Sequence, residues 1–96
     1  MTEKQLSALL GMVKIDLGIT TSAYDERLMQ FIRASVKFIA EEGADLDFSD
    51  IQDQHLIAMC AEWLWRRRDS GEGMPRMLRY ALNNRILSRK MRDSDG

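Results

Sequence analysis

Residues 49–68, SDIQDQHLIAMCAEWLWRRR, constrain this chain more than any other stretch. Leu56, Met59 and Trp63 fall on one helical stripe, and Ile57, Cys60, Ala61 and Leu64 fall on the next. A helix that is apolar nearly all round must be covered nearly all round. A chain of 96 residues is one domain and has few other elements with which to cover it. The expected fold is therefore all-α: a compact bundle of about four helices around a long central third helix, followed by a basic C-terminal helical segment. The core is expected at Leu28, Ile32, Ile57, Cys60, Trp63, Leu64 and Leu78.

Composition supports helix over sheet. There are seven methionines and one proline, and few Tyr and Phe to build a β-sandwich. Helix one is expected after Thr2, which forms a T-x-x-Q capping box with Gln5. Leu6, Leu9, Leu10, Val13 and Leu17 follow at helical spacing, and Gly18 suits a left-handed end with Ile19 folding back. Helix two is expected from a Ser22–Asp25 capping pair, with Leu28, Phe31, Ile32, Ser35, Val36 and Ile39 on its apolar face and Gly43 at its stop. Ser49 with Gln52 is expected to cap helix three over residues 49–68. Gly71 and Gly73 then break the chain, and Pro75 suits the first turn of helix four. Met77, Leu78, Ala81, Leu82 and Ile86 supply that helix's apolar face, and the charged residues 88–96 are expected to fray. The organisation reads as a helical body over residues 1–73 and a basic segment over 74–96 within the same domain.

The net charge of −1 hides an asymmetry. Residues 1–65 carry five Lys/Arg against eleven Asp/Glu, and residues 66–96 carry nine against four. An acidic front with a basic tail suits head-to-tail contact with copies of the chain or with an acidic partner. The longest wholly apolar run has six residues, against the ~20 needed to span a bilayer. With no signal-peptide pattern and a single cysteine, the chain reads as a soluble intracellular protein that makes no membrane contact.

Catalytic and metal constellations fail on spacing. Asp45, Asp47, Asp50 and Asp53 are spaced like a calcium loop, but the sixth and twelfth positions, which need Gly and Glu, hold Asp50 and Leu56. These acids read as a solvated loop and helix-start carboxylates. His55 is the only histidine and Cys60 the only cysteine, so a typical zinc site cannot be assembled. Five residues apart on a helix, the two point in different directions. His55 reads as a partly buried structural residue and Cys60 as a buried thiol. No phosphate loop is present. The reading is no enzyme, no catalytic residue, no metal and no cofactor.

The basic constellation is Arg66, Arg67, Arg68, Arg76, Arg79, Arg85, Arg89, Lys90 and Arg92. A helix-turn-helix reader places polar side chains at the start of its recognition helix. Helix three starts with Asp50, Gln52, Asp53 and Gln54, which is acidic and wrong for approaching DNA. Arginine beside Met77, Leu78 and Tyr80 suits a protein interface better.

One family shares this arrangement. An amphipathic opening helix is followed by a second beginning Tyr24-Asp25-Glu26-Arg27-Leu28. A third ends Ala61-Glu62-Trp63-Leu64-Trp65-Arg66-Arg67-Arg68. A glycine hinge then leads into Met74-Pro75-Arg76-Met77-Leu78-Arg79-Tyr80-Ala81-Leu82-Asn83-Asn84-Arg85. Over residues 6–90 the chain resembles the small head–tail connector (DNA-packaging adaptor) proteins of long-tailed phages and prophages. Many members have Trp-Tyr near the end of helix three, where this chain has Trp63-Leu64-Trp65, and the C-terminal segment here is longer and more basic.

The resemblance implies a structural virion protein that forms a homo-oligomeric ring below the portal protein. It would continue the DNA channel and offer a docking surface to a tail-completion or stopper protein. DNA would pass without sequence-specific binding. The location implied is the head–tail junction of the virion, and the bacterial host cytoplasm during assembly. The portal or subunit interface is carried by position to Arg66, Arg67, Arg68, Arg76, Arg79, Arg85 and Arg89. The alternative reading is a small helical DNA-binding or regulatory protein that uses the basic segment.

Overall fold

The computed structural model describes the backbone of residues 1–95 and the side chains of residues 1–88. Four helices form: α1 (Glu3–Leu17), α2 (Asp25–Glu41), α3 (Ile51–Ser70) and α4 (Arg76–Asp95). No strand occurs among the described residues, and the architecture is the expected all-α bundle. Each of the other helices packs against α3, and α1 also packs against α2.

Local chemistry explains most boundaries. Thr2 Oγ1 accepts the Gln5 N–H at 3.1 Å and Gln5 Oε1 accepts the Thr2 N–H at 2.8 Å, the reciprocal capping box. Gly18 ends α1 at φ 71°, and the Ile19 N–H turns back to the Lys14 carbonyl at 2.9 Å. Lys14 then reaches Asp25 at 2.7 Å, tying the end of α1 to the start of α2. Gly43 takes φ 108° after α2, and Gly71 takes φ 66° after α3.

Two caps differ from expectation. Ser22 does not cap α2 with its side chain; its carbonyl accepts the Asp25 N–H, and the neighbouring Thr21 hydroxyl accepts the Ala23 N–H. Tyr24 occupies the cap position without a side-chain bond. For α3 the cap is Asp50, not Ser49, and its carboxylate accepts the Gln52 N–H at 2.7 Å. Ser49 is drawn the other way, donating its N–H and hydroxyl to Asp47 at 2.9 and 2.6 Å. With the Ser49 hydroxyl engaged by Asp47, the cap falls to the Asp50 carboxylate. At the C-terminus the helical backbone runs to Asp95, past the expected fraying point near residue 88.

The core sits where the apolar run predicts. Seven of the eight residues from Leu56 to Trp63 are buried, with Met59 partly exposed. Leu28, Ile32 and Ile39 from α2, Leu6, Leu9 and Val13 from α1, and Leu78 and Leu82 from α4 close around them. Ser35 enters this core by donating its hydroxyl to the Phe31 carbonyl at 2.8 Å, which removes the cost of an unpaired polar group. Of the expected core residues, Leu64 alone is only partly buried, packing at the margin.

Candidate interaction surface

The end of α3 divides its two tryptophans between inside and outside. Residues two apart on a helix point roughly 200° apart. Trp63 turns inward and is buried. Its indole N–H lies 3.1 Å from the Gly73 carbonyl and 3.3 Å from that of Glu72, so a core side chain holds the α3–α4 linker. Phe38 packs 6.3 Å from it, and the Arg67 guanidinium covers its ring at 5.1 Å.

Trp65 points the other way and is only partly buried, packed at the edge of the core. Tyr24 and Phe31 meet it edge-on at 5.3 and 6.2 Å. The Arg68 guanidinium lies 3.4 Å over the Trp65 ring and donates to the Trp65 carbonyl. Arg27 adds a second cation, 4.8 Å over Phe31, while bonded to Gln30 at 3.1 Å. The result is a half-exposed patch of three aromatic rings and two arginines from two helices. Tyr24, Arg27 and Phe31 did not figure in the sequence-derived interface. Their helix-two spacing signals a shared face, but not that Trp65 crosses it. Aromatic and arginine side chains are the types that anchor protein interfaces.

The seven arginines expected at an interface are not equivalent. Arg66, Arg67, Arg68 and Arg76 are exposed and Arg79 is half-buried. Arg85 is a correction: it turns inward. Its Nε and Nη2 donate to the two carboxylate oxygens of Asp53 at 2.6 and 3.0 Å, and Nη2 also donates to the Asp45 carbonyl. Asp53 corrects the reading of the loop acids as solvated, because it is buried and also accepts the Asp47 N–H at 2.8 Å. The Asp53 carboxylate holds the Arg85 guanidinium even further above its ordinary value. A bidentate, buried pair of this kind fixes geometry and clamps α4 onto the start of α3. The side chain of Arg89 lies outside the described residues.

Glu62 is a second buried acid, 7% exposed on α3. Its Oε2 atom has no hydrogen-bond partner, and its attraction to Arg66 acts across 3.9 Å. Burial and the facing Asp16 carboxylate from α1 push its pKa from 4.5 up to about 8. Glu62 is therefore mostly protonated at neutral pH and can donate to Asp16.

His55 is exposed, where the sequence suggested partial burial. It sits in the first half of α3, on the side away from the buried Ile57, and lines an open groove of about 360 Å³ between α3 and α4. Cys60 is buried, and burial raises its thiol pKa. No group of three or more His, Cys, Asp or Glu side chains that could hold a metal ion occurs among the described residues. Among those residues, too, no helix is long and apolar enough to cross a membrane.

Fold and surface together define a small all-α domain whose distinctive chemistry is an aromatic–arginine patch and a basic fourth helix. No family model, curated protein or solved structure matches the chain.

Proposed function

We propose that this chain is a structural adaptor of the head–tail connector type, working as a ring-forming protein between a portal and a tail-completion protein. The observation that carries the reading is the end of α3. Trp65 is only partly buried and is assembled with Tyr24, Phe31 and the exposed Arg27 and Arg68, side-chain types that anchor protein interfaces. The resemblance of residues 61–85 to the connector proteins rests on this same segment. The polarity of the molecule is consistent with it. No Lys or Arg occurs between Lys37 and Arg66, while Arg66, Arg67 and Arg68 follow one another near the end of α3. The DNA-binding alternative is weakened by the cations it would need, since Arg85 is bound internally and Arg68 lies over a ring.

The test is co-sedimentation with a portal protein of the same phage or prophage, followed by imaging of the particle. Binding as a ring on the portal axis is the expected result. A chain that ignores the portal but retards duplex DNA at low salt, with the steep salt dependence of phosphate contacts, would replace this reading with the DNA-binding one.

A further inference from the structure

α4 has two unlike faces. Leu78 and Leu82 are buried against the core. The outward side carries Met77, Tyr80 and Leu87, exposed to 77, 58 and 56%. With Asn84 they follow the alternating three- and four-residue spacing of a helix seam. Arg76 and Arg79 flank the first two. A stripe of exposed apolar residues in register marks a candidate contact surface.

The first turn of α3 offers the counterpart. Ile51 is 65% exposed. It follows Asp45, Asp47 and Asp50, all exposed, in a stretch with no Lys or Arg of its own from Phe38 to Trp65, and Arg85 of α4 is the one described cation that reaches these aspartates, leaving them in excess. The hydroxyl and N–H of Ser49 keep the Asp47 carboxyl below its ordinary pKa, so the patch holds its charge. One chain thus carries an apolar stripe rimmed by arginine and an exposed apolar residue rimmed by aspartate.

We propose that these two surfaces meet between copies of this chain: the Met77–Tyr80 side of α4, with Arg76 and Arg79, covers Ile51 and its flanking aspartates on the next subunit. Pairing of α4 with α4 would bring arginine-rich helices together, so the favoured contact is between unlike surfaces. Such a contact leaves each subunit with one free surface of each kind, and repetition closes a ring or extends a chain. The inference rests on the adaptor reading for its purpose and adds to it the contact surface between subunits.

Sedimentation velocity at low and high salt tests the contact. The wild type is expected to associate as concentration rises, and less so at about 0.5 M salt, where exposed charges are screened. Ile51→Ser and Tyr80→Ser are each expected to weaken association about tenfold. Both sites are exposed, so the variants keep their helical spectrum. Arg76→Glu with Arg79→Glu, and separately Asp45→Lys with Asp50→Ser, should each sediment as monomers. Serine is chosen at 50 because it retains a capping oxygen. An equimolar mixture of the two double variants should associate again. A wild type that is monomeric at its highest soluble concentration, or association that both serine variants leave unchanged, overturns the contact. If such a chain still binds the portal, the adaptor reading survives without it; association without portal binding is the converse.

Discussion

Glu62 is the residue whose chemistry is most sharply set by its surroundings. In the fold its pKa is about 8, against 4.5 for an ordinary glutamate. Between those values the folded chain holds a proton that the unfolded chain has released. This group's contribution to stability is therefore fully present below about pH 4.5 and is lost as pH rises through about 8. Glu62→Gln removes the titration while keeping a donor for Asp16. It is expected to flatten that slope and, above pH 8, to stabilise the protein by about 1–3 kcal/mol. Urea melts of both proteins at acidic, neutral and alkaline pH give the comparison, and parallel curves would assign the slope to another group. Trp63 separates packing from hydrogen bonding. Trp63→Ala is expected to cost about 3–5 kcal/mol, the range for truncating a buried aromatic. Trp63→Phe keeps most of the ring volume and loses only the bonds to the Glu72 and Gly73 carbonyls, a cost of about 1 kcal/mol. A loss below about 1 kcal/mol for the alanine variant would mean that the side chain is not a core member.

At the scale of elements, α4 is held by two devices of different kinds. Leu78 and Leu82 bury apolar surface, while Arg85 clasps Asp53. Arg85→Met leaves the Asp53 carboxylate buried with only the Asp47 N–H as a partner, and the expected cost is about 3–5 kcal/mol. The loss should be concentrated in α4, so its amides should exchange faster with solvent than those of α1 and α2. Adding Asp53→Leu removes the stranded charge and should recover part of the loss. The α3–α4 turn depends on backbone freedom. Gly71 stands at φ 66° with open space where a Cβ would go, so Gly71→Ala meets no clash and pays only the left-handed penalty. About 1–2 kcal/mol is expected, read as a lowered thermal midpoint. A neutral result would mean that the turn relaxes to another geometry.

For the whole molecule, the polarity along α3 is the organising fact. Its first turn lies among carboxylates and its last turn holds Arg67 and Arg68. That order also suits the helix dipole at both ends, since acids stabilise an N-terminus and cations a C-terminus. Asp53 is held by Arg85 within the monomer, while Asp45, Asp47 and Asp50 are exposed and remain available for contact between molecules. Self-association should accordingly fall with ionic strength while monomer stability changes little, because the apolar core is not screened. Melting temperature and sedimentation coefficient measured across one salt series would show the two responses separating.

The sequence by itself determined the periodic features. Apolar residues at helical spacing gave four helices and all of the expected core except Leu64, because burial follows from which face of a helix is apolar. Thr2 with Gln5, Gly18, Gly43 and Gly71 were legible as ends because capping and positive φ are local requirements met by few residue types. Ser49 was misread as a cap because Asp50 takes the Gln52 N–H, and Ser22 because its own carbonyl, not its hydroxyl, takes the Asp25 N–H. What only the tertiary structure decided was which faces meet. Asp53 and Arg85 are 32 residues apart, and nothing in either local pattern pairs them. Glu62 lies within the apolar run of α3, and nothing local pairs it with Asp16, which α1 places opposite it. Trp65 could be assigned to a helix but not to Tyr24 and Phe31. The rotation and crossing of one helix on another are set by the joint packing of all four, and that information is absent from any single stretch of sequence.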